Sequence, residues 1–192
     1  MLKIPYSLIL ASASPRRQQF LKELGLDFTV KVRSVNEIFP PELQGEEIPL
    51  YLSRLKAAAF TDLQVNELLI TGDTIVWFDQ KVIEKPTTPE EAFTMLKQLS
   101  GNCHTVYSSV CLTTTQTQKA LCDSTQVWFK PLSDREIDYY INHFNPYDKA
   151  GGYGIQEWIG AIGVSKIEGS YNTVMGLPTH ILYEMLREYA NR

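Results

Sequence analysis

Apolar and polar positions alternate along this chain with two periods, and the periods switch repeatedly. Ser7 to Ala11 is an apolar run suited to a buried strand, and it leads into small residues and Ser14-Pro15, an N-cap with proline at the first helical position. Phe20, Leu21 and Leu24 give the helix that follows a buried stripe, which Gly25 ends. Phe28 to Val32 alternates as a half-buried strand does, and a loop from Arg33 to Gly45 separates it from a helix predicted from Pro49 to about Phe60. Leu68 to Thr71 reads as a short strand running into Gly72-Asp73-Thr74, after which Ile75 to Trp77 resumes a strand. That strand turns at Asp79-Gln80 into Val82-Ile83.

The second half keeps the same habit. Thr88-Pro89-Glu90-Glu91 opens a helix with a cap, an N1 proline and a reciprocal capping glutamate, and Ser100-Gly101 closes it. His104 to Thr114 and Leu121 to Phe129 are β-rich runs joined by the polar Thr115 to Gln118. Ser133 with Glu136 starts another capped helix reaching about Phe144. The spacing then predicts a loop over Asn145 to Gly154, a strand over Ile162 to Ile167, a loop over Glu168 to Gly176 and a last amphipathic helix over Pro178 to Tyr189. Helices and strands alternate while hairpins break an all-parallel arrangement, so the class is α/β with a mixed, twisted sheet and flanking helices, in a single domain over residues 1–192.

Composition adjusts this picture only modestly. A hydrophobic content of 44% over 192 residues supports a core that needs neither disulfides nor a structural metal. Cys103, Cys111 and Cys122 are odd in number and unpaired in spacing, which suggests neither a disulfide framework nor zinc. A net charge of −4 argues against broad nucleic-acid binding, so any anion site is local. No stretch reads as membrane-spanning or as a secretory leader, and the expectation is a cytoplasmic protein with no membrane partner.

The candidate chemistry gathers at a few points. Arg16 and Arg17 fall in a first helical turn, where the dipole disfavours cations. They read either as solvated side chains or as part of a strand–turn–helix anion site. Asp73 follows an apolar strand, at a strand end beside the core. It is either a turn aspartate bonding its own backbone or a metal ligand or general base. Lys85 before Pro86 reads either as an exposed surface lysine or as a point charge suited to phosphate, and Glu37 and Lys56 have the same two readings. In Asp148 to Gln156 the glycines permit close approach or positive φ, Tyr153 offers a stacking face and Gln156 could read a base edge. Arg16, Arg17, Lys56, Lys85 and Lys149 with Glu37, Asp73 and Asp148 together describe a metal–phosphate site.

Taken in order, Ser12-Ala13-Ser14-Pro15-Arg16-Arg17, Gly72-Asp73-Thr74, Glu84-Lys85-Pro86, Leu99-Ser100-Gly101 with His104, Asp148 through Gln156, and Gly176-Leu177-Pro178 resemble the motif series of the Maf family of nucleoside triphosphate pyrophosphatases. The resemblance implies two lobes around a central cleft, in a fold related to the inosine triphosphatase type, commonly as a homodimer. It implies hydrolysis of a nucleoside triphosphate to the monophosphate and pyrophosphate with Mg²⁺ or Mn²⁺. It also implies Asp73 as proton acceptor, and on that reading the metal is expected on Asp73 with Glu37 as partner. Arg16, Thr74 and Gln156 match specificity positions, Glu37, Lys56 and Lys85 match positions lining the family's cleft, and Ser12, Arg17, Lys56 and Lys85 are expected to bind substrate. The Lys149 to Gln156 run is similar to the branch acting on dTTP and UTP. Gly72 stands where alanine is usual and Ala13 where glycine is frequent, both small replacements. The rival expectations are the same reaction on 7-methyl-GTP, CTP or a modified nucleotide, or a non-enzymatic nucleotide- or nucleic-acid-binding regulator of septum formation.

Overall fold

The first apolar run forms β1 (Ser7–Leu10), whose Leu8, Ile9 and Leu10 are buried, and it passes through Ser12 and Ser14 into α1 (Pro15–Glu23). The computed structural model describes residues 2–190. As the sequence predicts, Ser14 caps α1: its hydroxyl accepts from the Arg17 backbone N–H at 3.5 Å, with Pro15 following it. β2 (Phe28–Val30) is short and lies parallel to β1. α2 (Glu47–Ala58) begins two residues before Pro49, which the first turn tolerates because the N–H groups there have no helical partner anyway.

The expected turn at Gly72-Asp73-Thr74 does not exist. β3 (Glu67–Phe78) runs unbroken through it and pairs in parallel with β1. The glycine has another reason: a Cβ on Gly72 would lie 2.6 Å from the Ser109 carbonyl oxygen, so only glycine lets the neighbouring backbone approach. β4 (Lys81–Ile83) returns antiparallel across Asp79 and Gln80, whose φ values of 50° and 58° are those of a tight hairpin turn. α3 (Pro89–Leu99) has the predicted Thr88 cap. However, the Glu91 carboxylate accepts from the Thr87 N–H and hydroxyl, one residue before the reciprocal position.

β5 (Cys103–Thr113) and β6 (Gln118–Phe129) form the long strands expected, and α4 (Asp134–Phe144) starts with a complete Ser133–Glu136 capping box. Two short 3₁₀ turns, Pro146–Asp148 and Ala150–Gly152, occupy the predicted loop. Two helices then appear where a strand start and a loop were expected, α5 (Trp158–Gly163) before β7 (Val164–Glu168), and α6 (Tyr171–Met175) before α7 (Thr179–Ala190). Gly160 allows the first of them, since a Cβ there would sit 1.9 Å from the Ile155 carbonyl oxygen.

The sheet order is β2-β1-β3-β5-β6-β7 with β4 on β3, and parallel pairs at β1 combined with antiparallel pairs at β4 and β7 make it mixed, as predicted. Two units divide the described residues. The first comprises the chain up to Asp73, Ser108–Asp123 and the chain from Gly176; Ile9, Ala57, Phe60, Leu69 and Cys111 cluster in it. The second comprises Thr74–Tyr107 and Ser124–Met175, with Leu96, Leu99, Phe129, Tyr140 and Tyr153 in its core. The cysteines are free, and burial raises all their thiol pKa values, that of Cys122 to about 12, so none is a ready nucleophile. No helix among the described residues is long and apolar enough to cross a membrane.

Candidate active site

Asp73 sits in the middle of a strand whose residues 68–73 are all buried, and is itself only 7% exposed. That placement replaces the strand-end expectation and removes the turn-aspartate reading. A carboxylate held there costs free energy unless it is paired. The partner is Lys56 of α2, whose ammonium lies 2.6 Å from Asp73 Oδ1 and 3.0 Å from Glu37 Oε2. α2 is fastened to β3 by the Thr71 hydroxyl, which donates to the Ser53 carbonyl at 2.7 Å. Ser109, which the sequence reading did not single out, ties the same place from β5. Its hydroxyl accepts from the Asp73 N–H at 3.2 Å and donates to the Pro49 carbonyl at 2.6 Å. A serine on a buried strand face is the only sequence sign of this role.

Arg17 enters the same unit from the first turn of α1. Its Nε donates to the Gly176 carbonyl at 2.9 Å and its Nη1 to the Gly72 carbonyl at 2.8 Å, so it braces the backbone directly before Asp73. Burial lowers the Arg17 pKa, while the charges of Asp73 and Glu37 oppose that shift and Arg16 adds to it. Ser12 is buried and its hydroxyl accepts from the Ser14 N–H at 3.2 Å; the first turn of α1 carries no acidic residue. Ser12, Arg16, Arg17, Glu37, Lys56 and Asp73 thus belong to one unit.

The other predicted positions belong to the second unit. Thr74 is half-buried, whereas Lys85 and Gln156 are exposed. The Lys85 segment rests on the glycine turn: the Glu84 carbonyl accepts from the Gly151 N–H at 3.0 Å, and Gly151 has φ 72° with Val76 Cγ2 only 2.9 Å from where a Cβ would stand. Tyr153 is not a stacking platform. It is 5% exposed, packed edge-on to Phe129 and His104, and its hydroxyl meets His104 Nε2 at 2.7 Å. Burial, which disfavours the charged imidazolium, pushes the His104 pKa down to about 4.

Lys149 is buried, with its ammonium 2.6 Å from Asp148 Oδ1 and 3.1 Å from Glu157 Oε1. Glu157 and Tyr140, whose hydroxyl donates to Glu157 Oε2, went unnoticed in the sequence. The only available signals were a charge directly after the Gly-rich run and a tyrosine on the apolar face of α4.

Among the described residues no group of three or more His, Cys, Asp or Glu side chains is arranged to hold a metal ion. Asp73 and Glu37 nevertheless offer hard oxygen donors on either side of one cation, the Lys56 ammonium, which stands where a metal shared by the two carboxylates would compete. Mg²⁺ commonly binds through one or two carboxylates, the rest of its shell coming from water and phosphate, so this donor set suits it.

A model of the Maf-like protein family matches residues 7–189. A dTTP/UTP pyrophosphatase of Flavobacterium johnsoniae is 54% identical over 182 residues, covering 94% of both chains. Proteins of the same name from Christiangramia forsetii and Bacteroides fragilis are each 50% identical, over 187 residues (97% of this chain, 95% of the relative) and 185 residues (95% and 96%).

Proposed function

The chain belongs to the Maf family, and on that premise we propose that it is a nucleoside triphosphate pyrophosphatase acting on dTTP and UTP. Water adds to the α-phosphorus, the bond from that phosphorus to the α,β-bridging oxygen breaks, and the nucleoside monophosphate, pyrophosphate and a proton are released. The observation that carries this reading is the Asp73–Lys56–Glu37 arrangement, a buried carboxylate sharing one cation with a second carboxylate beside a braced arginine.

In this mechanism Asp73 accepts the proton of the attacking water, a role that typically contributes about 10²–10⁴-fold to rate. A divalent cation, Mg²⁺ or Mn²⁺, held by Asp73 and Glu37 would neutralise charge on the triphosphate oxygens. Arg16, Lys56 and Lys85 add positive charge toward the α-phosphoryl oxygens and the leaving pyrophosphate, and Ser12 contacts the substrate beside α1. Arg17 is assigned chiefly to holding the Gly72 carbonyl, and through it the backbone of Asp73. Thr74 and Gln156 distinguish the base; the exposed Gln156 amide presents both a donor and an acceptor, as a pyrimidine edge requires. A homodimeric, cytoplasmic state belongs to the same proposal; the dimer rests on the family resemblance and the location on the character of the sequence.

The test is pyrophosphate release from dTTP, UTP, CTP, GTP and 7-methyl-GTP, each with Mg²⁺ and with excess chelator. Fastest turnover of dTTP and UTP, lost on chelation, is expected. No release from any of them would sink the proposal, and preference for 7-methyl-GTP would overturn the choice of base.

A further inference from the structure

The run from Lys149 to Glu157 contains three glycines, Gly151, Gly152 and Gly154, and ends beside Gln156. Glycine-rich segments lose more conformational freedom on ordering than others, so something must hold this one if Gln156 is to present its amide at a fixed place. The structure contains such a holder. Lys149 opens the run and Glu157 closes it, and their ion pair at 3.1 Å joins the two ends with side-chain exposures of only 9% and 19%. The second Glu157 oxygen accepts from the Tyr140 hydroxyl, and that same hydroxyl accepts from the Gly154 N–H at 3.0 Å. Tyr140 is fully buried in α4, a rigid element of the core. A Cβ at Gly154 would stand 2.8 Å from Glu157 Cδ and 3.0 Å from Gln156 Nε2, so a larger residue there would push the Glu157 carboxylate out of this arrangement.

Resting on the pyrophosphatase reading, we infer that Tyr140, Glu157 and Lys149 form a clamp that positions Gln156, so that Glu157 sets base selectivity without touching the nucleotide. The Asp148 contact to Lys149 is subordinate, since that carboxylate is 63% exposed and the pair is well solvated. Glu157 is therefore a positioning residue, and its removal acts on discrimination between bases rather than on bond cleavage. A misplacement of about 1 Å can cost up to roughly 10²-fold, so a loss of about tenfold or more in selectivity is the expected scale.

The experiment measures kcat and KM for dTTP and GTP in the wild-type enzyme, Glu157→Gln, Tyr140→Phe, Gln156→Ala and the double variant Glu157→Gln/Gln156→Ala. Circular dichroism checks that each is folded. Glu157→Gln is expected to raise KM for dTTP with kcat little changed and to lower the dTTP-to-GTP ratio of kcat/KM by about tenfold or more. Tyr140→Phe is expected to move the same way. In the Gln156→Ala background the Glu157 substitution should change the ratio no further, which a merely structural loss would not reproduce. An equal fall for both nucleotides, an unchanged ratio, or a Glu157 effect that persists without Gln156 would overturn the clamp while leaving the enzyme reading intact. Failure of the wild-type enzyme to release pyrophosphate would instead overturn the enzyme reading, and the clamp with it.

Discussion

Replacing Lys56 with methionine probes the centre of the site through stability as well as through rate. The substitution keeps the apolar stem of the side chain and removes the ammonium that lies 2.6 Å from Asp73, in a pair whose side chains are 16% and 10% exposed. Removing one partner of a buried pair leaves the other charge uncompensated and costs about 3–5 kcal/mol. The residual exposure and the nearby Arg17 charge place this case at the lower end, about 3 kcal/mol. The second contact adds at most about 1 kcal/mol, because Glu37 is 50% exposed. For a chain of this length about 3 kcal/mol corresponds to a fall of about 6–12 °C in Tm. Calorimetry of Lys56→Met and of Lys56→Met/Asp73→Asn tests it. The double variant, with no stranded carboxylate, is expected to regain much of the lost stability. A single variant that melts within about 2 °C of wild type, or a double variant no more stable than the single, would refute the reasoning.

Two further predictions concern His104 and Arg17. Because the folded-state pKa of His104 lies at about 4, below its ordinary 6.5, the unfolded chain binds a proton there that the folded chain does not. Stability is then unaffected above about pH 6.5 and falls as pH drops toward 4, by about 2 kcal/mol at pH 5. Urea unfolding of His104→Phe should show a shallower decline than wild type over this window, and parallel curves would contradict the assignment. Arg17→Lys cannot span the Gly72 and Gly176 carbonyls as the guanidinium does, and should lose about 1–3 kcal/mol in the same assay together with much of the turnover. Unchanged stability and rate would mean that the brace has no function.

Legibility in the sequence followed the range of the forces involved. Caps and hairpins are local, and Ser14-Pro15, Thr88-Pro89, Ser133 with Glu136 and Asp79-Gln80 all appear where the residues indicate. Gly72 misled because its cause is distant: the Ser109 carbonyl, not a turn, requires it, so Asp73 lies within a strand rather than at its end. α5 went unread because its condition is likewise a close approach, that of Gly160 to the Ile155 carbonyl, and the strand expected from Ile162 begins only after this helix, at Val164. The residue types of the Asp73 site were readable, since lysines, arginines and carboxylates in one set suggest phosphate and metal. Their connections were not. That Lys56 joins Glu37 to Asp73, that Arg17 holds backbone carbonyls, and that Tyr153 turns into the core toward His104 are outcomes of tertiary packing. The Tyr140–Glu157 contact is likewise a product of packing, which no local pattern announces.

The account stands on Asp73 as the proton acceptor, and pyrophosphate release from dTTP by Asp73→Asn addresses that most directly. Asparagine keeps the shape of the side chain while removing its ability to take a proton at neutral pH. With its circular dichroism spectrum unchanged, the variant is predicted to lose about 10²–10⁴-fold or more in kcat at saturating dTTP and Mg²⁺. A folded Asp73→Asn enzyme that turns over at close to the wild-type rate would contradict the central claim.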